Sequence, residues 1–340
     1  MVVESGRGNR QRSLRSPVVE IPVVDLSGPT ERVAIELDRA CGEVGFVQVV
    51  GHRLDLDVEK EAWECARRFF SLPEADKHEA TIPPGDAYGY GPYRVERLAS
   101  SLGVDTPPDL KETFSIGPFE TPPGLLADDP AAAFSFSPNR WPDALPEMEP
   151  VMRRYYDDLA ELVDRILSLM ATALGLPVDH FIPLTDQHTS ALRLLHYPDL
   201  AGTRAEPGQL RAGAHSDYGT LTLLRQDDAP GGLEVLAADN TWVSAPAVDG
   251  AYVLNIGDAL ERWTNGRWRS TLHRVVLPPT DVTESTERQS IAFFHNANWD
   301  AVIDCLEPCR PEDPTDLLPP ITAGRHLMEK FRRTQNDSNQ

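Results

Sequence analysis

The sequence predicts a mainly β protein in which flanking helices surround a sandwich or jelly-roll core. The first observation is a series of short segments between residues 190 and 296 that are β-branched or alternate apolar with polar residues. The second is the turn sequences between them, such as Asn265-Gly266. The third is that helical periodicity occurs only before and after this stretch. The predicted strands are Ala191–Tyr197, Thr220–Arg225, Leu233–Leu236, Thr241–Ser244, Tyr252–Ile256, Thr271–Leu277 and Gln289–His295.

The first part of the chain combines helices with two extended segments, of which Val18–Leu26 is the first. Gly45–Val50 is apolar and predicts a buried strand. Apolar residues at helical spacing predict helices at about 30–41 and 58–70, and Asp57 is the expected N-cap of the second. Residues 80–125 are rich in proline and glycine, which predicts irregular structure. Their aromatic side chains either line a binding mouth or pad the core.

A long amphipathic helix is predicted from Met148 to Leu174, because apolar residues recur on one face at steps of three and four. We interpret it as a support for the core. One domain is expected over residues 17–332, with a polar tail on each side. In order, the parts are a disordered tail at 1–16, an α/β region at about 17–185, the β core at about 186–300, a helix at about 321–332 and a disordered tail at 333–340.

The charge of the chain excludes several kinds of partner. Its 32 basic and 53 acidic residues give a net charge of −21, and nucleic acid or an anionic membrane surface would require a basic face. No signal peptide or long apolar run is present, which predicts a cytoplasmic protein. The sequence has no glycine-rich nucleotide-binding motif. Cys305 and Cys309 lack a second pair of ligands that would complete a zinc site.

Two histidines and one aspartate in the predicted core form a candidate metal site. His215 and Asp217 are two residues apart, so on a strand their side chains share a face. His273 lies in a later predicted strand and can face them across a sandwich. Two imidazoles and a carboxylate on one side of a metal leave the opposite positions open. That arrangement suits non-haem Fe(II) and O₂ chemistry.

Arg288 and Ser290 share a face by the same rule and form a candidate anion site. An inward arginine in a β core needs an anionic partner, because an unpaired buried charge is costly. No carboxylate nearby in the sequence is an obvious partner, which indicates a bound acid. The guanidinium, the Ser290 hydroxyl and Tyr197 could hold it. With Fe(II), Asp217 and a dianionic 2-oxo acid, Arg288 completes a neutral assembly.

The ordered set of His-x-Asp, a distant His and Arg-x-Ser resembles the isopenicillin-N-synthase-like branch of the Fe(II)- and 2-oxoglutarate-dependent dioxygenases. The resemblance covers nearly the whole chain. The segments that support it are Ile21–Leu26, Gly45–Val49, Pro108–Glu112, His215–Leu224, Asn255–Leu260, Thr264–Val275 and Arg288–Ser290. One departure is Leu195, where plant relatives often have an asparagine, so that an amide near the cosubstrate is lost.

The resemblance implies a double-stranded β-helix core of the cupin-like kind. The implied iron ligands are His215, Asp217 and His273. Arg288 and Ser290 would bind the distal carboxylate of 2-oxoglutarate, with Tyr197 assisting. The implied reaction consumes O₂, releases succinate and CO₂, and hydroxylates, desaturates or cyclises a small molecule, such as a biosynthetic intermediate of secondary metabolism. The carboxylate ligand favours these outcomes over halogenation, because halogenases of this chemistry have a small residue in its place.

The substrate is expected in front of the iron. Candidates for lining its site are Phe294, Asn296, Arg193, Tyr88 and Tyr90, and Phe294 can equally be core packing. Three other functions fit parts of the pattern: an iron oxidase of the same fold that needs no 2-oxoglutarate, a non-catalytic jelly-roll binding protein, and a zinc hydrolase. A monomer is the expected state, without nucleic acid or membrane partners.

Overall fold

The computed structural model describes residues 20–126, 128–200 and 204–336, and two facing β-sheets form its centre. The strands are β1 (Val23–Asp25), β2 (Phe46–Val50), β3 (Gly89–Gly91), β4 (Glu112–Ile116), β5 (Ala191–Tyr197), β6 (Ala212–His215), β7 (Leu221–Gln226), β8 (Leu233–Leu236), β9 (Trp242–Ser244), β10 (Tyr252–Ile256), β11 (His273–Val275), β12 (Arg288–His295), β13 (Val302–Ile303) and β14 (Ile321–Thr322). The helices are α1 (Thr30–Glu43), α2 (Leu56–Phe70), α3 (Glu74–Glu79), α4 (Pro130–Phe134), α5 (Met148–Ala173), α6 (Ile182–Thr185), α7 (Asp258–Trp263) and α8 (Ala323–Asn336), with 3-10 helices at Leu98–Leu102, Glu307–Cys309 and Pro314–Asp316.

The larger sheet has eight strands in the order β1-β2-β10-β7-β12-β5-β4-β3, and the smaller has four in the order β6-β11-β8-β9. Neighbouring strands are antiparallel, except that β1 and β2 are parallel. Strands β13 and β14 form a separate ribbon. The sequence-based prediction of a mainly β jelly-roll protein with flanking helices is therefore confirmed.

The two faces of the larger sheet have different roles, because successive residues of a strand point to opposite sides. On β12, Ile291 and Phe293 point away from the smaller sheet and into the main hydrophobic core, which α1, α2 and α5 complete. Each large apolar side chain buried there contributes about 1.5–3 kcal/mol. Arg288, Ser290 and Ala292 point the other way, towards the smaller sheet. The helices thus fix the sheet from one side and leave its inner face for polar residues.

Strands β5, β8 and β10 begin and end at the predicted residues. Proline or glycine bounds each of them at one end or both, which makes the ends recognisable. The prediction that residues 80–125 are irregular is wrong at β3 and β4. Strand β4 is paired on both sides and its five residues are buried. Its pairing with β5 therefore outweighs the surrounding proline and glycine.

Two helix boundaries also differ from the prediction. Helix α2 begins at Leu56 because Asp55, not Asp57, caps it and accepts a hydrogen bond from the Asp57 N–H. Helix α8 continues to Asn336, since no proline or glycine interrupts it after Gly324, so the tail expected at 333–340 is helical in its first four residues. Residues 337–340 and the tail expected at 1–16 lie outside the described residues. Within the described ranges, no helix is both long and apolar enough to cross a membrane.

Candidate active site

Two histidines of the smaller sheet and an aspartate from the loop after β6 converge on one point. His215 ends β6, His273 begins β11, and the two residues are opposite each other in the antiparallel pair. Asp217 Oδ1 lies 3.9 Å from His215 Nε2 and 3.7 Å from His273 Nε2. One ligand atom from each residue lies within 4.8 Å of the other two, a spacing that one ion with bonds of about 2 Å can span.

The remaining polar atoms of these side chains are bound to protein. His215 Nδ1 donates to the Gly213 carbonyl at 2.8 Å, and His273 Nδ1 donates to the Thr271 carbonyl at 3.2 Å. A carbonyl oxygen only accepts, so each Nε2 keeps its lone pair for a metal. Asp217 Oδ2 accepts from Thr222 Oγ1 at 2.6 Å and from Asn255 Nδ2 at 2.7 Å. Only Oδ1 of this carboxylate therefore faces the histidines.

Asp217 does not lie on a strand, so the expectation that it shares a strand face with His215 is wrong. Strand β6 ends at His215, and the chain then turns. The Asp258 N–H donates to the Asp217 carbonyl at 2.8 Å and fixes this turn. Gly257 packs against it so closely that a Cβ would lie 2.3 Å from the Gly219 carbonyl oxygen. Hydrogen bonds, rather than strand alternation, direct this carboxylate.

The electrostatics favour the metal-binding protonation states. Burial lowers the pKa of His215, and the neighbouring His273 lowers it further. Burial alone would raise the pKa of Asp217, but the two histidines and the hydrogen bonds from Asn255 and Thr222 hold that pKa below its usual value. A neutral imidazole and an ionised carboxylate are the forms that bind a metal. Two nitrogen donors and one carboxylate oxygen on one side of a point fit Fe(II).

Arg288 occupies the second predicted site and is only 2% exposed. Its Nη2 donates to Gln226 Oε1, a neutral amide, at 2.7 Å, and within the described residues its Nη1 has no hydrogen-bond partner. A carboxylate that is distant in the sequence does lie near in space, because Asp227 Oδ1 is 3.8 Å from Nε. Asp227 reaches only the side of the guanidinium, however, and burial raises the pKa of its carboxyl. The Nη1 end of Arg288 is thus open to an outside anion.

A second arginine, Arg211, lies at the same end of the site and was not singled out from the sequence. It is fully buried and donates to the carbonyl oxygens of Pro230 and Thr286. Burial and the charge of Arg288 lower the pKa of Arg211 to about 10. The guanidinium carbons of Arg288 and Arg211 lie 5.1 Å and 5.9 Å from the Tyr197 ring centre. Two cations therefore flank this ring and make the end strongly electropositive.

A chamber of about 1410 Å³ joins these groups between the two sheets. The three metal-facing residues line it together with Arg288, Ser290 and Tyr197. Its apolar wall is formed by Leu98, Leu195, Leu224, Ala292 and Phe294. Because small-molecule pockets usually measure about 300–1,000 Å³, the chamber has room for two small ligands side by side.

Four of the five predicted substrate residues line this chamber, namely Tyr88, Arg193, Phe294 and Asn296. The fifth, Tyr90, does not, and its assignment is wrong. Its hydroxyl donates to Glu112 Oε2 at 2.5 Å, and its ring packs against Phe69 in the main core. Two residues apart on a regular strand would share a face, but Gly89 between the two tyrosines has a φ of 129° and breaks the alternation.

The sequence analysis missed several polar residues of the chamber. Thr222 and Asn255, which orient Asp217, are polar residues flanked by apolar residues in their strands, and that pattern was the available signal. Glu96 and Lys111 also line the chamber. They come from the segment that was predicted to be irregular, where no periodicity indicates which way a side chain points.

Two family models match the chain. The model described as the non-haem dioxygenase in morphine synthesis N-terminal matches residues 21–144, and the 2OG-Fe(II) oxygenase superfamily model matches residues 188–297. The second span contains the three metal-facing residues, Arg288 and Ser290. Together the two spans cover most of the chain, as the resemblance noted in the sequence does.

The chain is also similar to individual proteins over most of its length. A 2-oxoglutarate-Fe(II) type oxidoreductase of Aspergillus fumigatus is 35% identical over 306 residues, which are 88% of this chain and 86% of the relative. A homoarginine-6-hydroxylase of Arabidopsis thaliana is 32% identical, covering 88% and 89%. The crystal structure of a full-length Neurospora crassa protein in complex with alpha-KG and thymine has a TM-score of 0.79 at 28% identity, covering 95% and 99%. The chain therefore belongs to the Fe(II)- and 2-oxoglutarate-dependent dioxygenases and is a non-haem iron oxygenase that uses Fe(II), 2-oxoglutarate and O₂.

Proposed function

We propose that His215, Asp217 and His273 hold the Fe(II) of this enzyme through the two Nε2 atoms and Oδ1 of the aspartate. The observation that carries this proposal is the convergence of one ligand atom from each residue within 4.8 Å, in a chamber that also contains Arg288. Thr222 and Asn255 occupy the other carboxylate oxygen, so the aspartate offers the metal a single oxygen. Three protein ligands on one side leave the remaining positions for 2-oxoglutarate and O₂.

The distal carboxylate of 2-oxoglutarate would bind Arg288, with Ser290 and Tyr197 beside it. The unpartnered Nη1 of Arg288 supports this, because a buried guanidinium without an anion at its end is costly. Leu195 occupies the position of the amide found in plant relatives, so no amide at that position would assist these three residues. The charges of iron and Arg288 balance those of Asp217 and the dianion, which suits a buried chamber.

When bound, the iron and 2-oxoglutarate supply the oxidising chemistry of the family, in which 2-oxoglutarate becomes succinate and CO₂ while O₂ oxidises a second molecule. The residues of this chain orient the ligands, keep both imidazoles in one tautomer and exclude water with the apolar wall. We propose that the second molecule is small and is hydroxylated, desaturated or cyclised. The relative named for homoarginine hydroxylation and the neighbour crystallised with thymine support a small polar molecule. For the assembly, we propose a monomeric enzyme with a single domain over residues 17–332.

The test starts with protein purified without O₂ and loaded with Fe(II). We expect one iron per chain, succinate formation that requires 2-oxoglutarate, and loss of both in His215→Ala. The matched control is His196→Gln, which changes a histidine on the outer face of β5 that pairs with Glu112 and Glu287. Iron binding that survives His215→Ala would contradict the proposed ligand set. O₂ uptake without any use of 2-oxoglutarate would instead identify an oxidase of the same fold.

A further inference from the structure

The chamber end that lies away from Arg288 contains three charged residues that the proposed function does not use. Arg193 projects inward from β5, Lys111 immediately precedes β4, and Glu96 lies on the loop before the 3-10 helix at Leu98–Leu102. All three line the chamber. Arg193 pairs with Ala292, four residues along β12 from Arg288, which is about 13 Å at the rise of a strand. We call these three residues the outer charge cluster.

Three ion pairs hold the outer charge cluster, two within it and one from Lys111 to Asp109. Arg193 Nη2 donates to Glu96 Oε1, and to Thr113 Oγ1 at 3.2 Å. Lys111 Nζ donates to Asp109 Oδ2 at 2.7 Å and lies 3.2 Å from Glu96 Oε2. Asp109 also accepts two backbone N–H groups, so it is fixed in the structure. The side chain of Lys111 is 1% exposed, whereas those of Arg193 and Glu96 are 20% and 31% exposed.

One polar atom of the cluster has no partner, and a second has only an ion-pair contact. Within the described residues, Arg193 Nε has no hydrogen-bond acceptor, while Glu96 Oε2 is contacted by Lys111 Nζ at 3.2 Å without a hydrogen bond of good geometry. Burial alone would raise the pKa of Glu96, but Arg193 and Lys111 lower it to about 2, so the carboxylate is ionised at neutral pH. A cation with an unfilled donor thus lies beside an ionised carboxylate, one oxygen of which has only an ion-pair contact.

The net charge of this end restricts the ligand. Two cations, Arg193 and Lys111, are matched by two carboxylates, Glu96 and Asp109, so these four groups carry no net charge. A ligand with a net charge would bring an uncompensated charge into a partly buried chamber, which is costly. A ligand with one charge of each sign adds no net charge. Its anionic group can also accept from the unfilled Arg193 Nε, and its cationic group can donate to Glu96.

The position of the cluster restricts the size of the ligand. Thr222, which holds Asp217, is opposite Phe294 on β12, and Arg193 is opposite Ala292 on the same strand. Their backbones are therefore separated by two strand spacings and two residues, or about 12 Å. The side chains that project into this gap shorten it, so a short molecule spans the distance from the cluster to the metal-facing atoms. The apolar side chains of Leu195, Ala292 and Phe294 lie along the way.

We propose, on the basis of the function proposed above, that the substrate is a zwitterion of the α-amino-acid type. Its carboxylate binds Arg193, its ammonium group binds Glu96, and its side chain follows the apolar wall towards the iron. In a hydroxylation, one oxygen atom of O₂ enters a C–H bond of that side chain, and the other enters the succinate that forms as 2-oxoglutarate loses CO₂. Of the four electrons that reduce O₂, 2-oxoglutarate supplies two and the substrate C–H bond supplies two.

The first experiment measures succinate formation by the iron-loaded enzyme with matched sets of compounds. Each set contains an amino acid (L-leucine, L-lysine or L-arginine), the amine that lacks its carboxylate, and the acid that lacks its amino group. At least one amino acid should exceed both of its partners about 10–100-fold in kcat/KM, since each partner leaves one charge of the ion pair unsatisfied. Equal rates for an amine or acid would overturn the proposal. So would a protein that binds iron and 2-oxoglutarate but responds to no amino acid, and that result would leave the proposed function standing.

The second experiment asks which group binds which residue. Arg193→Met should remove the preference for the amino acid over its amine, and Glu96→Gln should remove the preference over its acid. The matched control is Arg94→Met, because Arg94 lies on the same loop and pairs with Glu206 outside the chamber. All three variants should keep their affinity for 2-oxoglutarate. Preferences that persist in both chamber variants would show that the ion pair only fixes the loop, and would overturn the proposal.

Discussion

Arg288 and Arg193 face one chamber from the neighbouring strands β12 and β5, yet their surroundings differ. Arg288 is 2% exposed, donates to a neutral amide and has an unpartnered Nη1. The Arg193 side chain is 20% exposed and forms an ion pair with Glu96. The nearest carboxylate of Arg288, that of Asp227, reaches only its Nε, at 3.8 Å. One arginine is prepared for an anion from outside, and the other already has an anion from the chain.

This difference indicates that the two ends of the chamber bind different ligands. A buried cation without a full partner gains most from one fixed anion, so it suits a ligand that is the same in every turnover. An ion pair at a partly open end exchanges its contacts with a ligand and selects for charge pattern. The same strand pair can therefore provide a constant site and a selective site a few residues apart. Variants at the metal, at each end and in the supporting residues can separate these roles.

The largest effect is expected from His273→Ala. It removes one of the three proposed iron ligands, so we expect loss of iron binding and of turnover. The residues at the two ends of the chamber cannot replace this ligand. Iron content and succinate formation measure this directly. Retained turnover would show that His273 is not an iron ligand and that the reaction does not depend on the proposed metal site in the chamber.

Replacing each arginine by methionine compares the two ends directly. Arg288→Met should weaken 2-oxoglutarate binding by about 30–1,000-fold, because a charge-assisted contact to a buried carboxylate contributes about 2–4 kcal/mol. Arg193→Met should change that affinity no more than about twofold, since it lies at the other end. Anaerobic titration of the iron-loaded proteins gives both numbers. Similar losses in the two variants would show that the ends are not separate.

Thr222→Val tests the support of the metal site while both ends stay intact. The change keeps the shape of the side chain but removes the hydrogen bond to Asp217 Oδ2. Loss of such an outer hydrogen bond typically costs about 10–100-fold in metal affinity. Competition for Fe(II) against a chelator measures it, with Thr113→Val as the control on β4. An unchanged affinity would show that Asn255 alone orients the carboxylate.

The carboxylates at the two ends should respond to pH in opposite directions. The folded-state pKa of Glu96 is lowered to about 2, so its charge stabilises the fold above its unfolded value near 4.5, and that contribution is lost as pH falls towards 2. The pKa of Asp227 is raised by burial, so its charge destabilises the fold at neutral pH, and the penalty disappears as pH falls. At pH 7, Glu96→Gln should therefore lower the free energy of unfolding by about 1–3 kcal/mol. Asp227→Asn should either lower the free energy of unfolding by less than this or raise it.

Urea unfolding of both variants at pH 7 and near pH 3 measures this contrast. The deficit of Glu96→Gln should shrink at the lower pH. A deficit that is the same at both pH values would show that its ion pair with Arg193 does not contribute through charge.

The sequence was sufficient for the parts of the fold that alternate regularly. Strands β5, β8 and β10 were delimited to the residue, and His273 and Ser290 were predicted on strands that bring them into one chamber with His215 and Arg288. Pattern is informative there because a strand with one buried face must repeat every two residues. The family resemblance then gave the order of the motifs a chemical meaning.

Prediction failed where backbone geometry departs from that repeat. Asp217 lies in a turn held by Asp258, and Gly89 breaks the alternation between Tyr88 and Tyr90. Strand β4 was hidden by the prolines and glycines around it, although its pairing with β5 places it in the sheet. Two members of the outer charge cluster, Glu96 and Lys111, were missed for the same reason, since they lie in a segment without regular alternation. Long-range pairing determined these positions, and no local signal reports it.

The register between β5 and β12 has a consequence for how new specificities can arise. Tyr197 is opposite Arg288 and Arg193 is opposite Ala292, while Leu192 and Leu194 alternate with them on the helix side. Deleting one residue from either strand would turn a guanidinium into the apolar layer under the helices and an aliphatic group into the chamber. Insertions and deletions in this strand pair would therefore disrupt both the hydrophobic core and the chamber. Point substitutions at the inward positions of β4 and β5 remain open, and they could redirect the enzyme to other molecules without disturbing its oxidising machinery.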